Sequence, residues 1–459
     1  MPKRNILLLL AACLVCLTAW GVRERSGPAR RFGEVIEAIE RSALESPPAD
    51  ELFTAAVDAA VGRLDEHSAY LRGTGRAELE AALDQRFGGV GLELALDKAA
   101  ERPVVVSPLY GGPAWRAGIA PGDTLLTVAG HDTRGRPLRE IVEALRGRAG
   151  EPVGLEIAVA PSGGPATLDP AAAVQPATLR EVTLVREEVR LESVLGDRRR
   201  PDGSWDWLLE REPGVALVRI VSFGERTGAE FQAACRSLAE QADLRLVVLD
   251  LRGNPGGLVP AAVEVCDALL AEGPIVATRG RSGAGRAAST ATLQERRATP
   301  GELLAGVPVA VLVDGLTSSA AEIVAACLQD AGRATVVGSR TFGKGTVQTL
   351  LPLSDDSGLL KLTTAEYLRP SREPIHRHAE ARDDEAWGVR PTAGFEVAPT
   401  AEALDRLREW RRKRDAVLPP AAANAAAATQ TAPAANLGGG RGRDIDPVLA
   451  GALELLTAE

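Results

Sequence analysis

Ser319 and Lys344 stand twenty-five residues apart, in DGLTSSAAEIVAACLQD and RTFGKGTVQ. The serine opens a helical pattern just after PVAVLVDG (308–315), an apolar, β-branched run that reads as a buried strand. A strand that feeds a helix through a small-residue turn presents a side chain at the helix N-terminus. Backbone N–H groups there are unpaired and face anions. A hydrolase needs its nucleophile and oxyanion donors in such a place. A lysine held between Gly343 and Gly345 on the next strand can approach as a base, provided desolvation lowers its pKa. The plain alternative is an N-capping serine and a solvated lysine.

Three blocks favour the hydrolase. VVLDLRGNPGGL (247–258), TSSAAEIVAACLQDAGRATVVGSRTFGKGTVQ (317–348) and LKLTTAEYLRPS (360–371) occur in that order. Together they resemble the tail-specific, C-terminal processing proteases, Ser-Lys serine proteases with an embedded PDZ domain. The resemblance runs from about Phe32 to about Val397. It implies that the catalytic serine is Ser319, three residues before the Glu of the helix start. It implies Lys344 as partner and Gln348, four residues further, as the group that orients the lysine. The family pattern is Ser-Ala-Ser-Ala-Ser, and this chain reads Thr317-Ser318-Ser319-Ala320-Ala321. The middle serine is kept, and Ser318 is its competitor at an offset of one.

The chemistry is acyl transfer. Ser319 supplies the alkoxide and Lys344 takes its proton, which requires a neutral amine. At its ordinary pKa of about 10.4 a lysine is nearly all charged near neutrality. Burial beside Phe342 and the sheet is expected to depress that value. Gln348 can hold the amine without adding charge, whereas a carboxylate there would favour the ammonium. Ala320 N–H is one expected oxyanion donor. Gly256 or Gly257 in GNPGG is the other, because glycine lets backbone approach substrate closely. The family uses a glycine of this loop, and Gly257 is preferred. Asp330 reads as structural, and Asp65 with His67 as a capped turn beside Tyr70. No histidine lies in the matching blocks, so a Ser-His-Asp triad fits poorly.

Composition narrows the classes. The chain has 459 residues, net charge −9, 45% hydrophobic and 3% aromatic residues. That length implies two to four domains. No basic patch with interleaved aromatics occurs, which argues against nucleic acid. Cys235, Cys266 and Cys327 sit in apolar helical contexts and read as buried small hydrophobes. His376 and His378 form an isolated HxH, so neither metal nor cofactor is expected. Lys3 and Arg4 precede an apolar run from Ile6 to Val22, a signal sequence or signal anchor. An exported body, anchored to the inner membrane and working in the periplasm, is favoured. A lipoprotein acylated at Cys13, or a cleaved soluble form, stays open.

The expected organisation is multidomain α/β. It comprises the signal segment (1–24), a helical region (30–83), a PDZ domain (84–188), a Ser-Lys protease domain (189–400) and a helical, low-complexity tail (401–459). In the PDZ region period-2 strands show in VGLELAL, PVVVSPL, DTLLTVAG and VGLEIAVA, and PLREIVEALRG is an amphipathic helix. Phe87-Gly88-Gly89-Val90-Gly91-Leu92 can turn successive N–H groups onto a terminal carboxylate. Gly89, Val90, Gly91 and Leu92 are thus the expected tail-binding residues, with β-augmentation along the following strand. Residues 161–178 and 418–442 read as a disordered loop and a flexible linker. DRRRPDGSWDWLLEREPG (197–214) reads as a turn-rich insertion whose Trp205 and Trp207 cover a core edge. GVALVRIVSF, RLVVLDLRG, PIVATRG, VPVAVLVDG and ATVVGS alternate with helices, which implies βαβ units and a mostly parallel sheet. The resemblance implies a crotonase-like relation for this domain. DPVLAGALELLTAE is an amphipathic helix able to dock on the body or on a second subunit. Expected partners are proteins with free, apolar C-termini. The competing functions are a PDZ scaffold without catalysis and a ligand-binding relative.

Overall fold

The structure, a computed structural model, describes residues 27–97, 99–160, 178–282, 290–353, 358–417, 419 and 446–456. The signal segment, the 161–178 loop but for its last residue and most of the 418–442 tract lie outside the described residues. The helices are α1 Gly27–Ser42, α2 Ala49–Val61, α3 Gly73–Asp84, α4 Pro113–Arg116, α5 Leu138–Leu145, α6 Thr227–Ala239, α7 Val259–Leu269, α8 Ala320–Asp330, α9 Ala401–Asp415 and α10 Pro447–Leu453. The strands of the first half are β1 Ala69–Leu71, β2 Arg86–Gly89, β3 Leu92–Asp97, β4 Arg102–Pro108, β5 Thr124–Val128, β6 His131–Asp132, β7 Pro152–Val159, β8 Thr178–Val185 and β9 Glu187–Arg190. Those of the second half are β10 Val194–Leu195, β11 Arg198–Arg199, β12 Trp205–Asp206, β13 Val215–Ile220, β14 Leu246–Asp250, β15 Pro274–Ser282, β16 Thr290–Arg297, β17 Val309–Val313, β18 Ala334–Gly338, β19 Thr346–Pro352 and β20 Leu359–Leu368.

The chain divides into two compact units: Met1–Arg76 with Gln348–Thr363, and Ala77–Val347 with Thr364–Glu459. In the first, Asp65 caps a turn by accepting from the N–H groups of His67 and Ser68 and from the Ser68 hydroxyl, each at 2.8 Å. The chain then enters β1, a strand that the helical reading of this region did not anticipate. It pairs antiparallel with β20 through Ala69↔Lys361, Tyr70↔Leu360 and Leu71↔Leu359. Tyr70 packs edge-on against Phe53.

The second unit holds two cores. One lies under the sheet β3-β4-β5-β7-β8, with β6 on β5. Ile119, Leu125, Ile141, Leu155 and Ile157 fill it, and α5 contributes Ile141 and Leu145. Its strands and helix follow the expected pattern, and β3 forms an open edge. The other core surrounds the sheet β10-β13-β14-β17-β18, in which β13–β14, β14–β17 and β17–β18 are parallel. One face of that sheet meets α6, α7 and α8. The other meets Val448, Leu449, Ala452 and Leu453 of α10. Coverage of both faces explains why VALVRI, LVVLD and VAVLV are nearly continuous apolar runs.

One strand departs from the parallel expectation. β15 leaves that sheet and pairs antiparallel with β16 and β20. Its first residues, Ile275–Ala277, are buried, but TRGRS is too polar to be covered on both faces. The 197–214 insertion forms the β11–β12 hairpin, Arg198↔Asp206 and Arg199↔Trp205. Trp205 is buried there beneath the guanidinium of Arg199, 4.5 Å from its ring, and Trp207 packs against the main core.

A buried charge cluster joins distant parts of this unit. Arg252 pairs with Asp250 at 2.6 Å and Asp446 at 2.8 Å. Arg219 pairs with Asp415 at 2.5 Å, and Arg414 with Asp197. Near it a cleft of about 2250 Å³ runs from Glu93 and Ala95 on β3, past Trp205 and Leu404, to Gly253 and Leu316. Ser319 and Lys344 do not line it.

Candidate active site

The site begins where β17 ends. Asp314 closes a tight turn by accepting from the N–H groups of Gly253, Leu316 and Thr317, each at 3.0 Å. Thr317, fully buried, sends its hydroxyl to Leu251 O at 2.9 Å. Ser318 N–H donates to Asn254 O at 2.9 Å. Ser318 is thus held into the neighbouring loop, and Ser319, half-buried, is the N-cap of α8. Ser319 has φ 56° and ψ −117°. This is backbone territory of glycine in a type II′ turn, and it strains an L-residue. Such strain persists only where the surroundings over-determine it.

Glu322 supplies much of that determination. It is fully buried one turn into α8. Its Oε2 accepts from Ser319 N–H at 2.9 Å and Lys344 N–H at 2.8 Å. Its Oε1 accepts from Gly343 N–H at 2.7 Å and the Thr341 hydroxyl at 2.5 Å. The backbone nitrogens of Ser319 and Lys344 therefore share one oxygen atom. Burial pushes the Glu322 carboxyl up from its ordinary value, and these hydrogen bonds pull the other way.

Lys344 lies in the turn before β19, not on a strand, and is half-buried. The turn is braced from outside by 375–389. Arg377 N–H donates to Gly343 O at 2.8 Å, and Val389 N–H to the Thr341 hydroxyl at 2.8 Å. A Cβ on Gly343, whose φ is 89°, would meet Arg377 and Trp387 within 3 Å. Arg340 stacks on Trp387, 3.3 Å from its ring centre. Phe342, beside which the sequence places the lysine, is itself 51% exposed, and its N–H donates to Thr317 O at 3.0 Å.

The GNPGG loop packs against the helix start. A Cβ on Gly256 would lie 2.7 Å from Ser319 Cβ and 2.9 Å from Ala320 N. The two glycines differ in what their N–H groups do. Gly256 donates to Asn254 Oδ1 at 2.8 Å. Gly257 sits in a parallel bridge with Phe223 that uses Gly256 O and Leu258 N–H. Among the described hydrogen bonds, neither Gly257 N–H nor Ala320 N–H donates. Asn254, fully buried, fixes the loop by donating to Ile220 O at 2.7 Å. Asn254 was not singled out from sequence, although it stands inside GNPGG.

The remaining candidates are placed as follows. Gln348 belongs to the first compact unit, on β19, and donates to Thr363 Oγ1 at 3.4 Å. Thr363 donates to Asp65 at 3.0 Å. Burial pushes the Asp65 carboxyl up, but the Ser68 hydroxyl, the two turn N–H groups and Thr363 together hold it below its ordinary value. Asp330 ends α8 and pairs with Arg369 while accepting from Ser371 N–H at 3.0 Å, a structural tie. His376 and His378 pack edge-on against each other. Among the described residues no three His, Cys, Asp or Glu side chains gather as metal ligands would. Cys235, Cys266 and Cys327 are buried thiols, and burial pushes Cys235 up to about 12.

In the first core of this unit, β2 brings Gly88 and Gly89 against β9, and Val90 is buried. Gly91 takes φ 72° and turns the chain into β3. The N–H groups of Val90 and Gly91 donate in none of the described hydrogen bonds. Leu92 packs on the core from the open edge strand.

Comparison with known proteins places the fold and these segments together. Residues 214–392 match the model of peptidase family S41, and residues 104–159 match a PDZ domain. A carboxy-terminal-processing protease of Bartonella bacilliformis is 33% identical over 348 residues, 75% of this chain and 72% of that protein. A carboxyl-terminal-processing protease of Synechocystis is 34% identical over 332 residues, 72% of this chain and 69% of that one. Among solved structures, an S41 protease of Bacteroides fragilis shares the fold with a TM-score of 0.50 at 17% identity, covering 91% of this chain and 93% of the other. The strand-to-helix turn at Ser319 and the GNPGG and FGKG turns all fall inside the S41 match, and the open-edged β3–β8 sheet contains the PDZ match. The chain belongs to the carboxy-terminal processing proteases of peptidase family S41, serine peptidases that carry a PDZ domain.

Proposed function

We propose that the protein is an exported endopeptidase that engages C-terminal tails through its PDZ domain and cuts with Ser319, Lys344 and Gln348. The observation that carries the reading is the strained Ser319 at the start of α8, tied with Lys344 to one carboxylate oxygen. Lys344 Nζ takes the Ser319 Oγ proton as Oγ attacks the scissile carbonyl carbon. The oxyanion forms against the N–H groups of Gly257 and Ala320, which donate in none of the described hydrogen bonds. Collapse expels the amine, which takes its proton from Lys344. Water then cleaves the acyl ester by the same route in reverse. Gln348 orients the lysine amine, the role that the resemblance to the processing proteases implies for it.

The tail's carboxylate is received by the N–H groups of Val90 and Gly91, with Gly89 and Leu92 shaping the cradle, and its backbone adds to the open edge of β3. Export rests on the basic, then apolar, N-terminal run. Among the described residues no helix is long and apolar enough to cross a membrane.

Ser319→Ala and Lys344→Ala should each lower peptide cleavage by about a thousandfold or more with the fold intact. Ser318→Ala should retain activity, and a fluorophosphonate should label wild type but not Ser319→Ala. Loss of activity in Ser318→Ala with retention in Ser319→Ala moves the nucleophile by one residue. Amidating an apolar substrate tail should slow cleavage below saturation, and equal rates on acid and amide forms refute tail recognition.

A further inference from the structure

The proposed reaction uses Ser319 and Lys344 but leaves Glu322 unexplained. A fully buried carboxyl with four donors on it is costly unless each bond is made. All four are made, and they reach two segments that the sequence separates by about twenty residues: the N-cap of α8 and the 341–344 turn. An ordinary capping box needs only the N-cap N–H. The bonds to Gly343, Lys344 and Thr341 exceed what the helix requires. They set where the lysine backbone lies relative to the serine backbone.

We propose that Glu322 is a positioning residue, a carboxylate hinge pin that fixes the lysine turn against the nucleophile through shared backbone hydrogen bonds. It touches neither substrate nor the reacting atoms. Its demand is for a pure acceptor. Three of its four donors are backbone N–H groups, which cannot reverse, so an amide of the same shape turns an NH₂ group onto at least one of them. The proposal rests on Ser319 and Lys344 being the reacting pair, and it fails separately from that reading.

The test is Glu322→Gln in the full chain, with Ser319→Ala and wild type alongside. Steady-state cleavage of one peptide is measured and normalised to the folded fraction, taken from melting curves at the assay temperature. The expected result is a fall in kcat of about 10- to 100-fold with KM within about twofold of wild type, because PDZ engagement does not involve this carboxyl. Fluorophosphonate labelling of Ser319 should slow by a similar factor. A normalised kcat and labelling rate equal to wild type, with only a lower Tm, makes Glu322 a mere helix cap and overturns the proposal. If Glu322→Gln does not fold, Thr341→Val replaces it, removing one donor to Glu322, and with it the acceptor of Val389 N–H, while keeping the three N–H bonds to Glu322. That variant should lose about 3- to 10-fold in kcat at constant KM, and an unchanged kcat overturns the proposal equally. Wild-type cleavage by Ser319→Ala is the separate outcome that sinks the catalytic assignment instead.

Discussion

Replacing Ser319 by glycine should make the protein more stable than replacing it by alanine. Both variants lack the hydroxyl, so they differ in backbone freedom and one methyl group. At φ 56° and ψ −117° an L-residue pays about 1–3 kcal/mol that glycine does not. Glycine is also a better N-cap than alanine, by several tenths of a kcal/mol or more. Against this, glycine loses about 0.5–1 kcal/mol more entropy on folding. The half-buried methyl is worth a further ~0.5 kcal/mol. The balance favours Ser319→Gly by about 1 kcal/mol, or about 3 °C in Tm for a domain of this size. Urea titrations of the two variants, followed by circular dichroism and fitted with a common slope, measure the difference directly. A midpoint for Ser319→Ala at or above that of Ser319→Gly refutes the claim that the nucleophile's backbone is strained.

Gly256→Ala should abolish cleavage, because the new methyl must sit 2.7 Å from Ser319 Cβ; a variant with wild-type kcat disproves that close approach. Asp446→Ala should cost about 2–4 kcal/mol in urea midpoint analysis by removing one of the two carboxylates paired with buried Arg252, and a loss below about 0.5 kcal/mol rejects the cluster as a stabilising element. Burial pushes the Asp250 carboxyl up, but the charge and hydrogen bonds of Arg252 hold it below its ordinary value. A lowered folded pKa gives stability that is present above the unfolded value of about 3.9 and is lost as pH falls through the folded one. The stability gap between wild type and Asp250→Asn should therefore be full at pH 7 and shrink below about pH 4, and a gap independent of pH contradicts this assignment.

What could be read from sequence was local. The run of apolar residues ending at Asp314 followed by small residues announced a strand-to-helix turn with Ser319 at its head. The Gly-flanked lysine was read onto the next strand and stands in the turn before it, and period-2 alternation marked the PDZ strands. What could not be read was which distant group each turn would meet. Glu322 appears in sequence as a helix-start landmark, and nothing in its spacing says that Gly343 and Lys344 will fold onto it. Asn254 looks like one more turn residue until Ile220 O and Gly256 N–H are seen on either side of it. The same holds for Asp446, whose partner lies 194 residues earlier. β15 was misassigned because a strand following a helix invites a parallel crossover, and its polar second half was underweighted.

The large cleft beside β3 carries a different lesson. Its walls bear as many acidic as basic side chains, and many are already matched: Arg219 with Asp415, Arg252 with Asp250, Arg200 with Asp206, Arg226 with Glu230. A cavity lined by one sign focuses field and sorts what enters by charge. This one is electrically self-cancelling at short range, so its walls do not sort by charge what approaches them.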